Sequence, residues 1–297
     1  MLPAVTTKHW KSVTAGERLF QRIWAVIGGL PAAAWFRSAE DSLDFSYRGI
    51  QFGRTIEEIV TTNLNARLIE AARYYRTDPQ FQSASESEIV RYIKEWLPTY
   101  WSIPLAEHGE LAALAYLAAD SATDSLETKL RRAILRKIDA LGGLKCYLCG
   151  RALNLEERFD ESPYFPTLDH LWPRRWGGDT DEANLLPACP RCNHGKDHLK
   201  SWCWLPVFSA YSPLKATEAQ IQTIFNEPVR LARYLSHVRS HAIKKRMTLR
   251  ESALEIGPMK SPQLTDEMDA CDFFCVSVVG PRVLGGFDGF RLSMPDI

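Results

Sequence analysis

Four of the seven cysteines form two C-x-x-C pairs, Cys146-Tyr147-Leu148-Cys149 and Cys189-Pro190-Arg191-Cys192. Each pair places two thiols on one tight turn, where their thiolates can take adjacent corners of a zinc tetrahedron, and two such turns complete a closed site. Four sulfurs leave no coordination position for water, so a zinc held here is structural. The spacer of 39 residues between Cys149 and Cys189 exceeds the roughly 15 to 20 of a simple zinc ribbon, which leaves room for a second site inside the loop. A redox role is the weaker reading, because neither pair sits in a strand-to-helix thioredoxin setting. The odd cysteine count and metal-type spacing argue for a reducing cytoplasm over a secreted disulfide framework. Cys203, Cys271 and Cys275 read as core residues.

Inside the loop stand Asp169-His170, then Gly177-Gly178, then Asn184-Leu185-Leu186-Pro187, and the second cysteine pair runs on into Asn193-His194-Gly195-Lys196. His170 is a candidate general base, since an imidazole titrates near neutrality and can accept a proton on one nitrogen while the other is held by an acceptor. The Asn193 carboxamide is a hard oxygen donor suited to Mg²⁺ or Mn²⁺, with the adjacent His194 as the alternative ligand. Asn184 reads as a turn-ordering residue. Taken singly, a histidine flanked by Leu168 and Leu171 is more often a satisfied core residue; its surroundings reverse that reading.

This ordered set resembles the HNH (ββα-metal) endonuclease family, in the subtype built on two cysteine knuckles. The resemblance spans about 55 residues, Cys146 to Lys200, and does not extend to either flank. It implies that His170 activates a water for phosphodiester hydrolysis and that Asp169 and Asn193 hold a catalytic Mg²⁺ or Mn²⁺. It also implies that Asn184 orders the loop without touching the metal. Asp169 and His170 alternate along a strand, so strand geometry alone points them to opposite faces; the role that the resemblance gives Asp169 therefore implies a strand end at this point.

Nucleic acid is the implied substrate, with DNA preferred and RNA left open. Arg174, Arg175, Arg191 and Lys196 are candidate phosphate contacts, and a helix start near Asn193 would add partial positive charge. Lys+Arg and Asp+Glu both total 36, so affinity for a polyanion must be local. Residues 129–200 hold 13 Lys+Arg against 10 Asp+Glu, a modest excess. Arg239, Lys244, Lys245, Arg246 and Arg250 form a second basic group that reads more readily as a solvated helix face.

The elements that must position these residues are mostly helical. Apolar residues recur at helical spacing over Arg54 to Arg76 (Ile56, Ile59, Val60, Leu64, Leu68, Ala71), and Ser87 to Trp101, Leu111 to Ala119 and Ser125 to Leu141 continue the pattern. The last of these carries Gly142-Gly143 as its stop. The apolar stretch Ile23 to Phe36 is too short to cross a bilayer and reads as a buried helix rather than a signal peptide. A turn-rich segment follows from Cys146. Helix resumes after Pro213, and Phe273 to Val279 reads as a strand. The predicted fold class is α+β: a helical regulatory or recognition region over residues 1–124, a zinc-stabilised ββα-metal module over 125–210, and a C-terminal region of helix and short strands over 211–297.

Two functions of different class follow. One is a metal-dependent endonuclease or nickase, acting in bacterial restriction or anti-phage defence with a protein partner and no membrane association. The other is a non-catalytic zinc module that binds nucleic acid or protein. They part at Asp169, His170 and Asn193, which a binding module has no chemical reason to carry in that order.

Overall fold

The structure, a computed structural model, describes residues 9–30, 52–97, 103–121, 128–157, 162–196 and 227–259. The expected strand over Phe273 to Val279, the stretch between Pro213 and residue 226, the start of the Ser125 helix, and Cys203, Cys271 and Cys275 lie outside the described residues.

Helical periodicity is realised in α1 (Ala15–Gly29), α2 (Phe52–Thr77), α3 (Glu86–Trp96), α4 (Leu105–Ser121) and α5 (Thr128–Ala140). The central segment supplies β1 (Thr167–His170), β2 (Leu185–Ala188) and the short α6 (Pro190–Lys196), and α7 (Glu227–Lys245) and α8 (Leu249–Ile256) follow. This is the α+β class read from the sequence. Capping boxes start three of the helices: Thr14 with Glu17, Ser85 with Glu88, and Thr248 with Glu251. No helix among the described residues is long and apolar enough to cross a membrane.

Helix α1 is buried, and it serves two cores from two faces. Leu19, Ile23, Val26 and Ile27 pack with α2, α3 and α4. Phe20 and Trp24, together with Trp10, enter a second cluster with Trp172, Trp176, Leu185 and Leu186 of the central segment and with Tyr234, Leu235, Val238 and Leu249 of α7 and α8. This second core thus crosses both boundaries drawn from sequence texture, at 124/125 and 210/211. The reason is size: two four-residue strands and a seven-residue helix bury too little apolar surface to stand alone.

The strands pair antiparallel, with Asp169 opposite Leu186 and His170 opposite Leu185. β1 ends at His170, after which the Leu171 N–H donates to the Asn184 carbonyl at 2.8 Å. The chain between the strands is then pressed against the N-terminal helices. The Gly16 N–H donates to the Gly177 carbonyl at 2.8 Å, the Ala15 N–H to Asp179 Oδ2 at 3.2 Å, and Arg73 Nη2 to the Arg175 carbonyl at 3.3 Å. Glycine is needed where these segments meet. A Cβ on Gly16 would lie 1.9 Å from the Trp176 carbonyl oxygen, and one on Gly177, whose φ is +78°, would lie 2.6 Å from the Ala118 Cβ.

Overpacking against backbone cannot be relieved by a side-chain rotation, so Gly16→Ala is expected to destabilise the protein by roughly 1–3 kcal/mol. Gly109→Ala, inside α4 with nothing within 4 Å of the added methyl, should instead stabilise by about 0.5–1 kcal/mol. Thermal or denaturant melts of the two variants should move in opposite directions.

Candidate active site and zinc-binding cluster

The first knuckle is a narrow turn: the Cys146 N–H donates to the Arg151 carbonyl and the Gly150 N–H to the Cys146 carbonyl, both at 2.8 Å, with Gly150 at a φ of +74°. Cys189 precedes α6 and takes that helix's first hydrogen bond from the Asn193 N–H at 2.9 Å. A bond of 2.9 Å from the Tyr147 N–H to the Pro187 carbonyl ties the first knuckle to β2. All four sulfurs, of Cys146, Cys149, Cys189 and Cys192, therefore lie within 4.8 Å of one another, with Cys149 and Cys189 at 3.9 Å. A zinc–sulfur bond of about 2.3 Å in a tetrahedron sets sulfurs about 3.8 Å apart, so the cluster fits zinc. Hydrogen bonding within it favours one thiolate: the bond from Cys192 pulls the Cys146 thiol down to about 5 and pushes Cys192 up, and burial pushes Cys149 up as well.

Asp169 is buried, and both of its oxygens are engaged. Lys196 Nζ donates to Oδ1 at 3.1 Å and the Tyr147 hydroxyl to Oδ2 at 2.5 Å. Burial raises the carboxyl above its ordinary range, and the Lys196 charge and the Tyr147 hydrogen bond oppose that rise. Lys196 is itself 0 % exposed and also donates to the His170 carbonyl at 2.7 Å. The expectation that Lys196 reaches a phosphate is thus not met in this arrangement: a buried ammonium needs a buried counter-charge, and Asp169 provides it.

His170 Nε2 lies 3.1 Å from Thr180 Oγ1. Its imidazole does not titrate near neutrality as expected from the residue alone. Burial, then the charges of Lys196, Arg174 and Arg131, push it down to about 3, which keeps the ring neutral. Asn184 is buried and pins the loop that carries Thr180: its Oδ1 accepts from the Trp172 N–H at 2.7 Å, and its Nδ2 donates to the carbonyls of Trp172 at 2.9 Å and Asp179 at 3.0 Å.

Helix α6 begins at Pro190, so Asn193 sits almost one turn inside it rather than at its start. Its Nδ2 donates to Thr167 Oγ1 at 2.9 Å, which turns the side chain toward β1, whereas His194 is exposed. Arg175 and Arg191 are exposed and Arg174 is half-buried. The structure therefore gathers Asp169, His170, Asn184 and Lys196 around the end of β1, while the Asn193 side chain bonds Thr167 at the start of that strand. Three neighbours escaped the sequence reading. Tyr147 is a spacer within the first knuckle and Thr180 lies in the loop between the strands, and neither carries a sequence signal. Arg131 shares a helical stripe with Ile134, Leu135 and Ile138, which was legible.

Zinc should be present at about one ion per chain, and serine at any one of the four cysteines should lower both zinc content and melting temperature. Metal analysis of folded, reduced protein checks this.

No curated protein and no solved structure matches this chain. Residues 146–199 match the family model described as HNH endonuclease, and that stretch opens on Cys146, takes in both knuckles and β1, and passes through α6. The chain therefore contains an HNH endonuclease domain, of the subtype built around four clustered cysteines, at residues 146–199.

Proposed function

We propose that this protein is a divalent-metal-dependent endonuclease or nickase that hydrolyses DNA phosphodiester bonds. One observation carries the reading: residues 146–199 match the HNH endonuclease family model, and inside that match Asp169 and His170 stand side by side at the end of β1. Carboxylate and carboxamide oxygens are hard donors, so Asp169 and Asn193 suit Mg²⁺ or Mn²⁺. Such an ion would neutralise charge on the phosphate and the leaving oxygen. Lys196 must leave Asp169 Oδ1 for the ion to bind there.

The rest of the reaction falls to the chain's own groups. His170, neutral and held against Thr180, is the group placed to take a proton from the attacking water; burial and the nearby charges make it a weak base, and displacement of Lys196 from Asp169 would remove one of those charges. Asn184 fixes the Trp172–Asp179 loop and so the position of Thr180. Asn193 is favoured over His194 as the second ligand because it faces β1. Arg174, Arg175 and Arg191 are assigned to the flanking phosphates. We further assign the protein to bacterial defence or restriction, with a protein partner, in a reducing cytoplasm. That assignment rests on the resemblance and on the large helical region beyond the domain.

A non-catalytic nucleic-acid-binding module is the second reading, and the Lys196–Asp169 pair favours it, since the ammonium already satisfies the carboxylate. Cutting of supercoiled plasmid by zinc-loaded protein separates the two. Cleavage should require added Mg²⁺ or Mn²⁺ and fall at least about a hundredfold in His170→Ala with zinc content unchanged. Asn193→Ala should be inactive while His194→Ala cuts at a rate near the parent's. Inactive parent protein under every metal condition supports the binding module instead.

A further inference from the structure

The positive charge of the central region is not spread through the matched domain. Residues 141–200 hold eight Lys+Arg against nine Asp+Glu, whereas α5, which precedes the match, holds five basic residues and one acidic residue. That acid, Asp139, is turned to the Leu144 N–H at 3.2 Å. All the cationic excess therefore sits on one helix of thirteen residues.

Helix α5 is oriented by two anchors. Ile134 and Leu135 are buried in the second core with Ile138 packed against it, and Lys137 grips both Glu182 oxygens at 2.9 Å, just before β2. Arg131 lies on the same stripe as the buried residues, half-buried at its N-terminal end, and has no carboxylate partner among the described residues. Its charge is close enough to act on the His170 imidazole. Lys129, Arg132 and Arg136 are all exposed. At 100° per residue they fall within about 60° of arc, spread over roughly 10 Å of helix axis.

We propose that α5 is the docking rail for the backbone of duplex DNA, with Lys129, Arg132 and Arg136 on successive phosphates and Arg131 on the phosphate nearest His170. The occupant follows from charge and shape. A straight row of exposed cations matches a rigid polyanion of high charge density. The helix has no aromatic residue to stack an unpaired base, which disfavours a single strand. The inference rests on the nuclease reading only for the role of Arg131; the rail itself needs binding alone.

The test measures anisotropy of a short labelled DNA duplex with full-length, zinc-loaded protein, without Mg²⁺ or Mn²⁺, across a salt series. Replacing Lys129, Arg132 and Arg136 together by Gln should weaken binding at least about tenfold and make the slope of log K against log salt shallower by about 2 to 3, near 0.9 for each phosphate no longer neutralised. Zinc content and melting temperature should not change, because all three side chains are exposed. The same replacement at Lys244, Lys245 and Arg246, also exposed, should leave affinity and slope unchanged. Arg131→Ala should lower plasmid cutting in Mg²⁺ more than it lowers affinity.

The rail is overturned if the α5 variant binds and titrates with salt as the parent does, or if single-stranded RNA displaces the duplex more readily than unlabelled duplex. Parent protein that cuts DNA while the α5 variant binds and cuts equally well sinks the rail and leaves the nuclease reading standing. Duplex binding that depends on α5 in a parent that never cuts does the reverse.

Discussion

Closure of the loop between the two cysteine knuckles is the constraint on which the remaining geometry depends. Among the described residues between Cys149 and Cys189 the chain makes two four-residue strands and two 3-10 turns, with α6 starting just beyond, and none of these is stable in isolation. Drawing four sulfurs to within 4.8 Å fixes where β1 ends and where α6 begins. Those two points carry Asp169 and His170 on one side and Asn193 and Lys196 on the other. Even so, the closed loop needs a core from elsewhere. Trp10, Phe20 and Trp24 from the N-terminal side, with Tyr234, Leu235 and Val238 from the C-terminal side, supply it. The flanking helices are structural partners of the site, and their approach through Gly16 and Gly177 sets the loop that holds Thr180 against His170.

Within that frame the electrostatics centre on one buried pair. An isolated carboxylate at the position of Asp169 would bear a desolvation penalty of several kcal/mol; Lys196 and Tyr147 offset it from opposite sides. Removing only one member leaves a buried charge uncompensated, which is more damaging than replacing both. A divalent cation at Asp169 would serve the same electrostatic purpose as the ammonium. The proposed catalytic state differs from the arrangement with Lys196 on Asp169 in which cation neutralises the carboxylate.

Sequence alone reached the parts of this picture that depend on spacing. The cysteines of a zinc site announce themselves by two short intervals, and the helices by apolar period, as in Phe52–Thr77. Asn184 was readable as a turn organiser from its place in the motif and because Asn side chains commonly stabilise turns. What depends on long-range packing was not readable. Nothing in a C-Y-L-C knuckle says that its tyrosine will bond an aspartate 22 residues away. Lys196 looks like any lysine near a helix end until α6 turns it inward. Trp10 and Phe20 read as members of an N-terminal helical region, yet they complete the core of the central one. The zero net charge concealed the basic face of α5, because an overall balance averages away a local imbalance.

The central claim is that the end of β1 is a site for a hydrolytic divalent ion distinct from the zinc cluster. Electron paramagnetic resonance of Mn²⁺ added to the zinc-loaded protein tests it most directly, since bound Mn²⁺ is read without reference to substrate or turnover. The account predicts about one bound Mn²⁺ per chain, lost in Asp169→Asn while zinc content holds. Mn²⁺ that binds Asp169→Asn as tightly as the parent, or a parent that binds none, would contradict it.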